Sequence, residues 1–220
     1  MPFIPIPHVT QRRLPYVNLC GQACVTMLAR AYNRGRPSVE DVARASGTWD
    51  NTTSSIAEVT RQADAVGLTL DYTRHATTGW YHTQIALGYP VIALIDLGKL
   101  PARPSVPHFV VVLGTDSGDV ILNDPLLERG GYRVTVADFE RAIASNRYNL
   151  PYQALIPRDP LVSADASAVL RACLDRASGN VTAAQAAMNP KPDYRKARGI
   201  LADTYTKPAD VEIRRLRGEI

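Results

Sequence analysis

The spacing of apolar residues in the first part of the chain is helical. Residues 23–32 form an apolar run that predicts a buried helix. A second helix is predicted to begin with a cap at Ser38 and to end at the next glycine. A third is predicted to begin at Ser54 or Ser55 and to extend to about residue 66.

The spacing changes to short apolar runs and alternation in the middle of the chain, which is typical of strands. The predicted strands cover residues 68–74, 91–95, 109–113, 120–122, 132–136 and 152–156. A helical turn at 83–87 and a helix at 136–145 interrupt them. Because helices come first and antiparallel strands follow, the pattern predicts an α+β fold.

The two ends of the chain differ from this middle part. Prolines in residues 1–19 predict an extended arm. After residue 158 the chain is rich in alanine and arginine, with further helical patterns. We therefore predict a domain at 1–158 and a helical, basic extension or linker at 159–220.

The composition narrows the class of protein. The 220 residues include three cysteines, too few for a disulfide framework, and neither they nor the four histidines are spaced as a zinc site. No apolar run is long enough to span a bilayer, and the start does not read as a signal peptide, so we expect cytoplasmic synthesis without a membrane span. The net charge of +4 and the pI near 9.0 favour an anionic partner without selecting one.

Cys20 is the first candidate for chemistry, because it lies at the predicted start of the first helix. A helix N-terminus lowers the pKa of a thiol and so favours the nucleophilic thiolate. Cys24 lies inside the apolar run, and we interpret it as a packing residue; Cys173 lies in the extension. Taken alone, Cys20 could equally be a buried structural cysteine.

His108 and Asp124 strengthen the case for Cys20. If segments 109–113 and 120–122 pair as a hairpin, His108 and Asp124 lie side by side across it, where a carboxylate can hold an imidazole in one tautomer. A slip of one residue would select Asn123 for that role instead. Gln11, in the arm, could donate its side-chain amide to an oxyanion beside the Cys20 N–H.

These residues also carry a resemblance. Gln11 followed by 18-NLCGQACVTM-27, then 88-GYPVIA-93, 108-HFVVV-112 and 123-NDP-125, occur in the order found in papain-like cysteine peptidases of the bacteriocin-processing type, the C39-like peptidases. The resemblance covers about residues 5–156. It implies a papain-like fold, a nucleophilic Cys20, a general-base His108, an orienting Asp124 and an oxyanion-binding Gln11, with no cofactor or metal. Leu19 stands where close relatives of the bacteriocin processors have an acidic residue, which argues against double-glycine leader specificity.

The predicted function is hydrolysis of an amide bond by a thiol peptidase. We expect a peptidoglycan peptidase, such as the peptidase domain of a phage or bacterial lysin released by a holin, with a stem peptide as substrate. The alternatives are a general peptide or protein protease, a catalytically inactive peptide-binding relative, and nucleic-acid binding through the basic extension. We do not expect nucleic acid as a partner, because scattered charge on alanine-rich helices is common on solvated surfaces. The aromatic residues Trp49, Trp80, Tyr81 and Tyr148 either line a cleft or pack in the core or at its rim.

Overall fold

Helices packed on an antiparallel sheet make up the part of the chain that the structure, a computed structural model, describes. That part comprises residues 3–12, 18–47, 54–116, 118–149, 151–159 and 161. The fold is α+β, as the sequence predicts, with five α-helices and six strands among these residues. Most of the predicted extension, including Cys173 and all three of its helical patterns, lies outside the described residues, and so does Trp49.

The helices of the described residues lie before and between the strands along the chain. They are α1 (Cys20–Ala31), α2 (Val39–Ala45), α3 (Ile56–Ala65), α4 (Thr78–Ala86) and α5 (Val136–Ile143). Helix α1 packs against α2 and α3, whereas α4 and α5 contact each other. Short 3-10 turns cover Leu97–Lys99 and Arg147–Asn149.

The strands form one six-stranded sheet in which every pair is antiparallel. They are β1 (Leu70–Thr73), β2 (Val91–Asp96), β3 (Pro107–Asp116), β4 (Asp119–Asn123), β5 (Tyr132–Thr135) and β6 (Ala154–Pro157). Their order across the sheet is β1-β6-β2-β3-β4-β5. The central strands β2 and β3 are almost wholly buried, which explains why their sequences are continuous apolar runs.

The N-caps that the sequence predicts define where α2 and α3 begin. Ser38 accepts a hydrogen bond from the Asp41 N–H, and the Asp41 carboxylate accepts one from the Ser38 N–H in return. Ser55, rather than Ser54, caps α3 through the same reciprocal arrangement with Glu58. Each capping box satisfies two N–H groups that the helix geometry leaves unpaired.

Helix α4 is longer than the predicted turn at 83–87. Its N-cap is Thr77, whose side chain accepts from the Trp80 N–H. Glu140, on α5, then accepts hydrogen bonds from both the backbone and the hydroxyl of Thr78. The first turn of α4 is therefore stabilised by a contact with a residue far along the chain, which local sequence patterns do not report.

The core lies between the helices and the sheet. Tyr81 of α4 and Phe139 of α5 are fully buried and meet edge to face, with ring centroids 5.2 Å apart. Of the four aromatic residues left open between core and cleft, Tyr81 is therefore a core residue. Gly21 allows α1 and α3 to approach closely, because a Cβ at this position would lie 2.7 Å from Val59 Cγ2.

Candidate active site

Cys20 is the first residue of α1, whose N-terminus differs from those of the other helices. The N-cap position is Leu19, which supplies no side-chain hydrogen bond, and the first turn holds no acidic residue. The partial positive charge of this helix end is therefore not neutralised by a side chain of the same helix. Cys20 itself is only 4% exposed.

The sulfur of Cys20 has several hydrogen-bond donors around it. Burial alone would raise the pKa of the thiol, but the hydrogen bond and positive charge of His108 and the backbone N–H groups of Phe109 and Gly21 together lower its pKa. Cys24, one turn further along α1, is fully buried, and burial raises the pKa of its thiol well above the ordinary value. The surroundings thus favour the thiolate at Cys20 and the neutral thiol at Cys24.

His108 lies near the start of β3, where it pairs with Ile95 of β2. Its Nε2 lies 2.7 Å from Asp124 Oδ1, so Nε2 carries a proton that it donates to the carboxylate. Because the ring has two nitrogens, Nδ1 is left for the hydrogen bond with Cys20. Burial would lower the pKa of His108, but Asp124 and Cys20 outweigh it and raise the pKa to about 9.

Asp124 directly follows β4 and is 1% exposed. Its Oδ1 also accepts from the Leu126 N–H at 2.8 Å, and its Oδ2 accepts from Arg103 Nη2 at 3.4 Å. Although burial opposes ionisation, the hydrogen bond and charge of His108, the Leu126 N–H and Arg103 keep the pKa of this carboxyl below its usual value. Asp124 is therefore placed to orient the imidazole, and its charge favours the protonated form of the ring.

The register of the β3–β4 hairpin differs from the prediction. The ladder pairs nearest the site are Val112 with Leu122 and Val111 with Asn123, which places Asp124 across from residue 110, not His108. The hairpin turn lies between Asp116 and Asp119, and a bulge between Val112 and Gly114 shifts the pairing by only one residue. The prediction of direct opposition is wrong, yet an offset of two residues keeps both side chains on one face, where diagonal neighbours can meet.

Asn123 does not take the orienting role that a register slip would have given it. Its Nδ2 donates to the Ile6 carbonyl at 3.1 Å, and its Oδ1 accepts from the Gly131 N–H at 3.1 Å. A Cβ at Gly130 would lie 2.2 Å from the same Oδ1, so glycine is needed beside it. Asn123 joins the N-terminal arm to the loop after β4.

The arm containing Gln11 lies along this loop. The Gln11 N–H donates to the Pro125 carbonyl at 2.8 Å, and His8 Nε2 donates to the Asp124 carbonyl at 3.0 Å. Gln11 is 4% exposed. The structure thus places Gln11 beside the segment that holds Asp124, while its role as an oxyanion donor stays a prediction.

A cleft of about 180 Å³ opens beside Cys20. Its lining residues come from the starts of α1 and α3, from strands β2 and β3, and from the 3-10 turn after α5, and they include Ser54, just before α3, Ile56, Leu94, Phe109 and Tyr148. Tyr148 is therefore a cleft residue, one of the interpretations that the sequence left open. Sequence reasoning missed Arg103, because it follows no periodic pattern and lies in a proline-rich loop.

The described part of the chain lacks two features. No group of three or more His, Cys, Asp or Glu side chains in it is placed to hold a metal ion. None of its helices is both long and apolar enough to cross a membrane.

The fold and the site together define a class of protein. A helix that begins with a cysteine, packed on an antiparallel sheet that presents a histidine and an aspartate to it, is the arrangement of a papain-like cysteine peptidase. The family model described as the Peptidase_C39 like family matches residues 3–154. The chain belongs to this family and is a cysteine peptidase.

Solved structures with the same fold have little sequence in common with the chain. A putative C39-like peptidase from Bacillus anthracis superposes with a TM-score of 0.55 at 14% identity, over 71% of this chain and 97% of that one. The peptidase domain of Streptococcus ComA, a bifunctional ABC transporter of a quorum-sensing pathway, gives 0.53 at 17%, over 69% and 98%. A double-glycine motif protease from an AMS/PCAT transporter, in complex with the leader peptide, gives 0.50 at 19%, over 70% and 93%. No curated protein matches the chain by sequence.

Proposed function

We propose that Cys20, His108 and Asp124 hydrolyse an amide bond of a peptide through an acyl-enzyme. The observation that carries this proposal is the continuous line of contacts from the Cys20 sulfur to the His108 ring and from His108 Nε2 to Asp124 Oδ1 at 2.7 Å. The lowered pKa of Cys20 and the raised pKa of His108 favour a thiolate–imidazolium pair at neutral pH.

The thiolate–imidazolium pair suits both the acylation and the deacylation step of amide hydrolysis. The thiolate attacks the carbonyl carbon, and His108 gives its Nδ1 proton to the leaving amine, which leaves a thioester on Cys20. A water molecule then attacks the thioester, His108 takes a proton from it, and the acid is released with the thiolate restored. Asp124 steadies the imidazolium whenever it forms.

The oxyanion of each tetrahedral intermediate needs donors near Cys20. We assign this role to the Cys20 N–H and to the side-chain amide of Gln11, which the bonds of the arm to Pro125 keep close to the site. Losing one oxyanion donor lowers kcat by about 10²–10³ in a peptidase with such a hole. Gln11→Ala should fall in this range, with Cys20 alkylation unchanged.

The experiment that tests the assignment compares single variants on a cleavable peptide. Cys20→Ala, His108→Ala and Asp124→Asn should each lose most of the activity, whereas Cys24→Ala is the matched control, because it removes the neighbouring thiol of the same helix. Iodoacetamide should label Cys20 below neutral pH and leave Cys24 intact. Full activity of Cys20→Ala would end the proposal.

The narrower proposal concerns the kind of peptide. One structural neighbour is a protease in complex with a leader peptide, which supports a peptide as the general substrate class. Within that class we propose a stem peptide of peptidoglycan, because the net charge of +4 favours an anionic polymer as the surrounding matrix. The same proposal includes lysin-like release to the wall and a basic extension over residues 159–220. The family match ends at residue 154 and β6 ends at residue 157, which supports a boundary near residue 158.

Purified cell wall and linear peptides separate these substrates. New amino groups released from wall by the protein, and not by Cys20→Ala, would support peptidoglycan hydrolysis. Cleavage of linear peptides, including one with a double-glycine site, without release from wall would favour the general peptide protease.

A further inference from the structure

Tyr148 is an exposed aromatic residue that lines the cleft beside Cys20. It is 44% exposed, whereas the core aromatic residues Tyr81 and Phe139 are fully buried. The cleft also contains Ile56 and Leu94, so most of the lining next to the nucleophile is apolar. Exposed apolar surface in a concave site beside a reactive group is typical of a binding surface.

The size of the cleft limits what it can hold. Its volume is about 180 Å³. An apolar cavity of about 150 Å³ accommodates one benzene molecule, and small-molecule sites usually measure about 300–1,000 Å³. The cleft thus fits one apolar side chain rather than a longer stretch of peptide.

The backbone of Tyr148 is held in a conformation that bulky residues avoid. Its φ is 63° and its ψ is 16°, in the left-handed region. Such conformations persist only where surrounding contacts enforce them, and they cluster at functional sites. The contacts around Tyr148 must therefore outweigh this preference.

Those contacts come from the loop before β3 and from the neighbouring Arg147. The Tyr148 hydroxyl donates to the Ser105 carbonyl at 2.9 Å, and Arg147 Nη1 donates to Ser105 Oγ at 2.8 Å. The guanidinium carbon of Arg147 lies 5.2 Å from the centroid of the Tyr148 ring. Ser105 and Ser145 in turn donate to the buried carboxylate of Asp96, each at 3.0 Å. The Tyr148 ring is thus held at the cleft by the hydrogen bond of its hydroxyl and by its contact with Arg147.

We infer that Tyr148 is a specificity-determining residue, whose ring forms one wall of a subsite for a single apolar side chain next to the scissile bond. The inference rests on the proposed peptide hydrolysis at Cys20 and deepens it. A leucine-sized side chain packs against the ring, Ile56 and Leu94, whereas glycine leaves this surface uncovered. This packing predicts that the protein prefers an aliphatic residue over glycine at the subsite.

Quenched fluorescent peptide libraries test the preference. In each library one position on either side of the scissile bond is fixed as Gly, Ala, Leu or Phe, and the other positions are mixed. The unaltered protein, Tyr148→Ala, Tyr148→Phe and Tyr72→Ala are compared by kcat/KM. Tyr72 is the matched control, because it is a tyrosine of similar exposure, 46%, on β1 and away from the cleft.

At one position the unaltered protein should prefer Leu over Gly by at least about tenfold, since one methylene in an apolar pocket is worth about 10–200-fold. Tyr148→Ala should reduce that ratio by about tenfold and improve the relative rate with Phe, because the wall is removed. Tyr148→Phe should keep the ratio, since it keeps the ring, and Tyr72→Ala should leave it unchanged.

Two outcomes of the kcat/KM comparison would overturn the inference. One is equal kcat/KM for Leu and Gly at every position in the unaltered protein, and the other is an unchanged ratio in Tyr148→Ala. The rate of Cys20 alkylation shows whether each variant keeps the folded site; if Tyr148→Ala does not, Leu94→Ala replaces it, with the same expected loss of preference. Release of new amino groups from purified wall without hydrolysis of any library would overturn the subsite alone. Hydrolysis of neither wall nor libraries by the unaltered protein would reject the proposed function, and this subsite with it.

Discussion

Replacing Asp124 by asparagine should move the alkaline limb of the pH–rate profile to lower pH. The change removes the carboxylate whose Oδ1 lies 2.7 Å from His108 Nε2, while an amide of nearly the same shape remains. A negative charge beside an imidazolium raises its pKa, so the loss of that charge must lower the pKa of His108. In the proposed mechanism the imidazolium protonates the leaving amine, so activity at high pH should end where His108 loses its proton.

The size of the shift in the alkaline limb follows from the buried contact between His108 and Asp124. The pKa of His108 rises from the ordinary 6.5 to about 9, which corresponds to about 3 kcal/mol at about 1.4 kcal/mol per pKa unit. A hydrogen bond to a charged group contributes about 1.5–3 kcal/mol. The same conversion makes the contact with Asp124 equivalent to about 1–2 pKa units. The alkaline limb should lie near pH 9 in the unaltered protein and about 1–2 pH units lower in Asp124→Asn.

The assay is kcat/KM across pH 5–10 for a peptide that the protein cleaves, together with an NMR titration of the histidine rings. The NMR signal of His108 is identified by its loss in His108→Ala. The matched control is Asp71→Asn, which removes an equal charge from an exposed ion pair with Arg158 on the edge of the sheet. An alkaline limb and a ring titration that stay in place in Asp124→Asn would refute the electrostatic role of Asp124.

Three further changes test other parts of the structure. Arg103→Gln removes the positive charge 3.4 Å from the Asp124 carboxylate, so the alkaline limb assigned to His108 should rise by up to about one pH unit, opposite in sign to Asp124→Asn, in the same kcat/KM profile. Gly130→Ala places a Cβ 2.2 Å from Asn123 Oδ1 and should cost about 1–3 kcal/mol, measured as a lower Tm by scanning calorimetry. Phe139→Ala leaves a cavity in the core and should lower the free energy of unfolding in urea by about 3–5 kcal/mol.

Local chemistry made much of the fold predictable. The caps at Ser38 and Ser55 work through neighbours three residues away, so a sequence pattern contains all of their partners. Strands β2 and β3 were predictable because they are buried on both faces and read as continuous apolar runs. The prediction of α4 fell short because its hydrogen-bond partner is distant in sequence. The first turn of this helix depends on Glu140, which local periodicity cannot reveal.

The candidate site likewise has features that the sequence predicts and features that it does not. A hairpin pattern was enough to bring His108 and Asp124 to one face, because side chains alternate along strands. The offset of two residues between them was not predictable, since it depends on where the turn and the bulge fall. Neither the contact of Arg103 with Asp124 nor that of Ser105 with Asp96 follows from a repeat, because both residues lie in an irregular loop.

That loop, residues 100–107, connects the chemistry of the site to its cleft. Arg103 reaches the carboxylate that orients His108, and two residues later Ser105 holds the Tyr148 hydroxyl. Gly98 fits beneath the loop, because a Cβ there would lie 2.5 Å from the Ser105 Cα. A displacement of the loop would therefore shift both the charge on the triad and the wall of the cleft. Substitutions in it should change the pH limb and the side-chain preference together, whereas those at Tyr148 change the preference alone.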